Sequence, residues 1–148
     1  MKKKLKVVWI CHFTNEEVQE HLPLWKRTRE FGQWIPNTIA GFKDRDDIEL
    51  HVVVPHVYLK GSKDLNIDGI HYHFIAYGFP LINRPWPSFF PLDAVLGYPC
   101  IEYKIVKKVI QINPDIINLQ GAENAYYSSS VLKLENKYPI VISIQGFA

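Results

Sequence analysis

The sequence predicts an α/β fold built around a doubly wound, mainly parallel sheet. Three observations support this prediction: short apolar runs of strand length, segments of helical spacing between them, and the alternating order of the two. Crossovers of this kind join parallel strands and place helices on both faces of the sheet. The 148 residues are enough for one domain with a substantial hydrophobic core.

Five strands are predicted, at residues 5–11, 48–54, 70–75, 116–119 and 140–144. The first, fourth and fifth are largely apolar without alternation, which is typical of strands covered on both faces. The third alternates polar His71 and His73 with apolar residues, and we expect it at an edge of the sheet. A strand order of 3-2-1-4-5 would place the first and fourth strands side by side, with a ligand crevice at their carboxyl ends.

Helices are predicted where apolar residues recur at helical spacing. One helix begins near Trp34, and Pro36 is tolerated there because it lies in the first turn. A second carries the apolar stripe Ile101, Ile105, Val109 and Ile112 on a charged surface helix. A third is expected over about residues 124–137.

The remaining segments are predicted as connections. Residues 16–30 favour a long loop with one helical turn, and residues 56–69 favour a polar connection. Residues 77–99 hold five of the ten prolines together with Trp86, Phe89 and Phe90. A loop of this length in a compact domain is usually functional or mobile, and these aromatic rings are candidates for covering a core, docking a second domain or contacting a ligand.

The composition is that of a globular protein, and it argues against several classes of function. The chain is 47% hydrophobic and 22% charged with a net charge of +2, so no basic stripe favours nucleic-acid binding. No apolar run approaches membrane-spanning length, and the apolar stretch after the basic start is too short for a signal peptide. Cys11 and Cys100 lie among apolar residues without metal or disulfide spacing, so we expect both to be small buried hydrophobes. Because no disulfide framework is indicated, we expect the protein to reside in the reducing cytoplasm.

The stretch from residue 113 to residue 123 organises the rest of the chain. Pro114 ends the preceding helix, residues 116–119 form a buried strand, and Gln120-Gly121 ends that strand in a turn. Asp115, at the start of the strand, is expected to be structural. Polar groups at the carboxyl end of a central parallel strand lie where open α/β sheets bind ligands.

Two motifs carry a resemblance to a known family. Residues 114–121 read Pro-Asp-Ile-Ile-Asn-Leu-Gln-Gly, which resembles the Pro-Asp-hydrophobic-hydrophobic-His-x-His-Gly of the amino-terminal domain of family-4 GT-B glycosyltransferases. Residues 139–146 read Pro-Ile-Val-Ile-Ser-Ile-Gln-Gly and resemble the family's Pro-Val-Val-x-Thr-x-His-Gly. Asn118, Gln120 and Gln145 stand where histidine is usual. An amide side chain keeps hydrogen-bonding capacity but carries no proton near neutral pH, so an orienting role toward sugar or phosphate is favoured.

The resemblance implies that residues 1–148 are the Rossmann-like, acceptor-side domain of a two-domain enzyme whose carboxyl-terminal, nucleotide-sugar domain is missing. Such an enzyme would move a sugar from a nucleotide sugar to a glycan or lipid-linked acceptor, as in cell-surface polysaccharide synthesis. It would be cytoplasmic, or peripheral at the inner face of the membrane. No cofactor, metal ion or nucleic acid is expected, and the catalytic residues are not assigned.

The candidate binding residues follow the predicted carboxyl ends of the strands. His12 and Asn15 leave the first strand, and we expect His12 and Gln120 to be neighbours. Ordinary roles are open for each: a strand-end hydrogen bond for His12, turn and cap chemistry for Gln120 and Glu123, and a simple strand exit for Gln145. The full set of acceptor- or donor-binding candidates is His12, Asn15, Gln120, Gly121, Glu123, Gln145 and Gly146.

A second class of function stays open, namely a non-catalytic, flavodoxin-like α/β module that holds a small ligand at the same crevice. Dinucleotide binding is disfavoured, because no glycine lies between the first strand and Gly32. A receiver domain fits poorly, because the first strand ends in Cys11-His12 and not in two acidic residues. His71 and His73 have spacing that suits a metal ion, but without a third ligand nearby they are expected to be solvated edge-strand residues.

Overall fold

The computed structural model describes residues 3–13, 15–22, 24, 27, 34–56, 59, 61–76 and 95–144. Trp86, Phe89, Phe90, Gln145 and Gly146 lie outside these residues. The described elements are, in chain order, β1 (Leu5–Ile10), α1 (Glu16–Gln19), α2 (Trp34–Ala40), β2 (Ile48–His56), β3 (Lys63–Ile67), β4 (Ile70–Ala76), α3 (Pro99–Ile112), β5 (Ile116–Gln120), α4 (Ala125–Ser128), a 3-10 helix (Ser129–Lys133) and β6 (Ile140–Ser143).

The fold is α/β with a six-stranded, mostly parallel mixed sheet of order β3-β4-β2-β1-β5-β6. The predicted order of the five predicted strands is confirmed, because β4, β2, β1, β5 and β6 follow one another in parallel pairs. β1 therefore lies between β2 and β5 at the centre of the sheet. Asp115 ties the starts of the two central strands together by accepting a 2.8 Å hydrogen bond from the Lys6 amide and pairing with Lys3 at 3.0 Å.

The polar connection predicted at residues 56–69 is wrong, because it contains β3. This strand pairs antiparallel with β4 through a tight turn at Asp68 and Gly69, which have φ angles of +51° and +80°. Asp-Gly is a favoured pair for such hairpin turns. β3 was not predicted because several of its residues are polar, yet polar residues suit the edge strand that it forms. Because β3 forms this edge, β4 is an inner strand and not the edge strand that was predicted.

The two faces of the sheet carry separate hydrophobic cores, each covered by helices. One face buries Trp9, Val52 and Phe74 against Ile35 and Ile39 of α2. The other buries strand residues that include Val8 and Ile117 against α3, whose predicted stripe is buried in full: Ile101, Ile105, Val109 and Ile112. Among the described residues, no helix has both the length and the apolar character needed to cross a membrane.

Three further sequence predictions are corrected. The helix expected over residues 124–137 is a short α4 followed by a 3-10 helix; Ser130 Oγ donates to the Tyr127 carbonyl at 2.6 Å and so competes with the α-helical ladder. Cys11 is buried as expected, but Cys100 is exposed, because it lies in the first turn of α3 beside the buried stripe. β6 is not buried on both faces: Val141 is 49% and Ile142 52% exposed, since β5 is its one partner strand in the described chain.

Candidate functional site

The carboxyl ends of β1 and β5 meet at one edge of the sheet. The two strands pair in parallel, with Ile10 opposite Leu119, so the residues that follow them leave the sheet together. His12 follows β1, and Gln120 and Gly121 end β5. We predicted that these polar groups share an edge because we expected their two strands to be neighbours. The pairing of β1 with β5 confirms that the strands are neighbours.

His12 is held at this edge by contacts to two other elements. Its Nδ1 lies 2.6 Å from the hydroxyl of Tyr126 in α4, and its ring also hydrogen-bonds the backbone of Pro55 in β2. The Pro55 carbonyl can only accept, so the nitrogen that faces it carries the one proton of the neutral ring. With Nδ1 at the Tyr126 hydroxyl, this assigns the proton to Nε2 and makes Nδ1 the acceptor. His12 keeps part of its surface exposed, but the protein around its ring removes water from it and so lowers its pKa. The ring is therefore neutral at pH 7.

His56 adds a second imidazole at the same edge. It ends β2, and its ring centroid lies 6.3 Å from that of His12. His56 is 5% exposed, and burial lowers its pKa to about 4. Burial also raises the pKa of the Tyr126 hydroxyl, so it keeps its proton at neutral pH. The groups gathered around His12 are therefore polar and uncharged.

The turn after β5 is fixed by Tyr127. Gly121 has a φ of +79°, and a Cβ placed on it would lie 2.6 Å from the Tyr127 hydroxyl. That hydroxyl is 2.8 Å from both the Gln120 and the Gly121 carbonyl oxygens, to which it donates. Glycine is required here by both the backbone conformation and the close approach. Gln120 itself is 5% exposed and lies beneath the surface of the edge.

The other predicted site residues divide between exposed and structural positions. Glu123 is exposed beside this turn, and Asn124, not Glu123, is the N-cap residue of α4. Asn15 is the N-cap of α1, where its side chain accepts a 3.1 Å hydrogen bond from the Val18 amide. That bond supports a structural role for Asn15. Gln145 and Gly146 lie outside the described residues, but β6 runs parallel to β5 and its carboxyl end points to the same edge.

Sequence reasoning missed Tyr126 and His56 as members of this site. His56 had a usable signal, because it follows the apolar run of β2; Pro55 ended that predicted strand too early. Proline is tolerated there because β2 is close to its end. Tyr126 had no comparable signal, since its contact with His12 depends on how α4 folds back over β1.

No protein-family model, curated protein or solved structure matches this chain. The function is therefore inferred from the site itself. Its described polar groups can donate and accept hydrogen bonds, but His12 and Tyr126 are neutral and partnered. This arrangement is suited to orienting a hydroxyl-rich ligand rather than to carrying protons.

Proposed function

We propose that this chain is the amino-terminal, Rossmann-like acceptor domain of a GT-B glycosyltransferase. The enzyme moves a sugar from a nucleotide sugar to a hydroxyl of a glycan or lipid-linked acceptor, in the synthesis of a cell-surface polysaccharide. The observation that carries the proposal is the parallel pairing of β1 with β5, which brings His12 and Gln120-Gly121 to one edge. Ligands of open α/β sheets bind at such a switch in strand order.

The groups at this edge offer hydrogen bonds that fit sugar hydroxyls. Tyr126 donates its proton to His12, so its oxygen can still accept a hydrogen bond from a ligand. The exposed Glu123 carboxylate can accept further ones. Sequence-motif similarity at residues 114–121 adds support, because that motif ends at this same edge.

Catalysis in this proposal comes from positioning and from stabilising the departing diphosphate between two domains. Neither His12 nor Gln120 supplies a proton at neutral pH. The donor and its phosphates are bound by the carboxyl-terminal domain, and the 148-residue chain alone transfers no sugar at the rate of an intact enzyme. The enzyme works in the cytoplasm or peripherally at the inner face of the membrane, without a cofactor in the transfer step.

The uncharged groups around His12 also favour a second function, a non-catalytic module that binds a small polar ligand. Both functions use the same groups around His12 and Tyr126. They differ in what accompanies the domain, because only the transferase requires a second lobe that binds a nucleotide sugar.

Two measurements test the proposal. Sequencing the gene past the codon for Ala148 should reveal a second α/β half with a basic pair and a glutamate motif; a stop codon or an unrelated module would favour the binding module. Saturation-transfer NMR of the chain with glycans and nucleotide sugars should show acceptor binding that Glu123→Gln weakens. The matched control Glu135→Gln, an exposed residue after the 3-10 helix, should leave binding unchanged. Equal loss in both variants, or no glycan binding, would refute the acceptor site.

A further inference from the structure

A cluster of histidine and carboxylate side chains lies on the α3 face of the sheet, in the amino-terminal half of β2 and β4. Glu49, His51 and His71 each offer a ligand atom, and these atoms all lie within 4.8 Å of one another. His51 and His71 are direct cross-strand partners, with rings stacked at 4.6 Å. His51 is about 16 Å along β2 from His56, at roughly 3.3 Å per residue, so this cluster is separate from the carboxyl edge.

A hydrogen-bonded chain extends from this cluster. His51 Nε2 is 2.8 Å from Glu49 Oε1, and His51 Nδ1 is 3.0 Å from His73 Nε2. His73 Nδ1 is in turn 2.7 Å from Asp64 Oδ1, and Asp64 pairs with Lys108 at 3.1 Å. An imidazole whose second nitrogen is fixed through a carboxylate is the usual support of a metal-bound histidine.

The protons of this chain can be counted. The contacts Glu49–His51, His51–His73 and His73–Asp64 each place two electronegative atoms at hydrogen-bond distance. Two neutral imidazoles carry one N–H each, and an ionised carboxylate carries none. Two N–H groups therefore serve three contacts, and one contact lacks a proton when both rings are neutral. In the tautomer where His51 donates to His73, the contact without a proton is that between His51 Nε2 and Glu49, and a metal ion bound by both groups would take the place of the proton.

One cation already lies close to the cluster. Lys6 Nζ is 3.7 Å from Glu49 Oε1, so it competes with a metal ion for this carboxylate. Neutral imidazole and ionised carboxylate are the forms that bind metal ions.

We propose that Glu49, His51 and His71 form a binding site for a divalent transition metal ion of the zinc class, with His73 and Asp64 holding His51 in its ligating tautomer. Imidazole nitrogen and carboxylate oxygen are the donors that such ions take, and ligand atoms of a tetrahedral site lie about 3.4 Å apart. The three ligand atoms lie within 4.8 Å of one another, and closing to that spacing requires the stacked His51 and His71 rings to rotate toward each other. Glu49 and His71 are half-buried and His51 is buried, so the site opens to solvent on one side, where a water molecule takes the fourth position.

This metal site could not be predicted from the sequence, because no third ligand lies near His71 and His73 along the chain. The missing ligands come from β2, and only the register of β2 against β4 brings Glu49 and His51 beside His71. From the sequence we expected no metal ion; the strand pairing leads us to propose one on this face of the sheet.

The test uses the untagged 148-residue chain, stripped with a chelator and titrated with Zn²⁺ by calorimetry and with Co²⁺ by visible absorption. We expect one equivalent to bind and Co²⁺ to give the intense bands of a tetrahedral site. His71→Ala and Glu49→Gln should abolish stoichiometric binding, and His73→Ala should weaken it by about 10- to 100-fold. Circular dichroism of each variant establishes that it is folded.

The matched control is His21→Ala, because His21 is an exposed histidine remote from the cluster in sequence. It should leave the Zn²⁺ affinity unchanged. The proposal is overturned if the wild-type chain binds no stoichiometric metal, or if binding survives both His71→Ala and Glu49→Gln.

Discussion

The turn at Gly121 provides a prediction in which two substitutions should be strongly coupled. The Tyr127 hydroxyl occupies the space into which a side chain at residue 121 would project, 2.6 Å from the position of a Cβ. The same hydroxyl bonds the carbonyls of Gln120 and Gly121 at 2.8 Å. Gly121→Ala must therefore displace the hydroxyl, and Tyr127→Phe removes it.

The magnitudes follow from these contacts. Tyr127→Phe should lower the free energy of unfolding by about 1–3 kcal/mol, because the buried Gln120 and Gly121 carbonyl oxygens lose the hydrogen bonds from this hydroxyl. Gly121→Ala should lower it by about 2–5 kcal/mol, the sum of about 1–2 kcal/mol for the left-handed backbone and about 1–3 kcal/mol for the displaced hydroxyl. In the double variant the hydroxyl is lost only once. Its stability should equal that of Gly121→Ala, which gives a coupling energy of about 1–3 kcal/mol.

Urea unfolding followed by far-UV circular dichroism measures all four proteins of this cycle. Tyr138→Phe is the control, because the Tyr138 hydroxyl makes an exposed 3.4 Å contact with Asn113, and its removal should change the unfolding free energy by no more than about 0.5 kcal/mol. If the two losses add within about 0.5 kcal/mol, the hydroxyl is not the obstacle at Gly121 and the reasoning is refuted.

Three further predictions concern the core and the carboxyl edge. Ile105→Ala should lower the unfolding free energy by about 2–5 kcal/mol, and the exposed control Ile110→Ala by less than about 1 kcal/mol; an equal effect in chemical denaturation would contradict the packing of α3. His56 has a pKa lowered from 6.5 to about 4, so the unfolded chain binds its proton first as the pH falls. The stability that neutral His56 contributes is fully present above pH 6.5. The free energy of unfolding then falls by at most about 3 kcal/mol as the pH drops from 6.5 to about 4. Unfolding at several pH values should show a shallower acid slope for His56→Asn, and an unchanged slope would disprove the assignment. Nitrogen-15 NMR should find His12 with its proton on Nε2, and Tyr126→Phe should shift the Nδ1 resonance; a proton on Nδ1 would overturn the assigned tautomer, in which Nδ1 accepts from Tyr126.

The central part of the fold could be predicted because its signals are local. An apolar run without alternation specifies a strand covered on both faces, and β1 and β5 have such runs. Proline and glycine mark where β5 begins and ends, and the stripe on α3 is periodic. The order of strands then follows from the rules for parallel crossovers.

The rest depended on contacts between elements that are distant in sequence. β3 was missed because it is short and only two of its residues, Leu65 and Ile67, are apolar; their alternation with polar residues and the Asp68-Gly69 turn were the available signals. For β6 an apolar run was correctly taken as a strand, but such a run does not specify what covers it. Tyr126 beside His12 required the packing of α4, and Glu49 beside His71 required the register of β2 against β4.

The two edge strands of the described sheet differ in chemistry, and this difference determines at which edge a strand from another molecule can pair. At one end β3 presents Lys63 and Asp64, charged residues of the kind that keep an edge strand from pairing with another molecule. At the other end β6 presents Val141 and Ile142, both about half exposed. Oligomers that form at high protein concentration should therefore join through β6, and Ile142→Lys would be the simplest change for keeping preparations of this domain monodisperse.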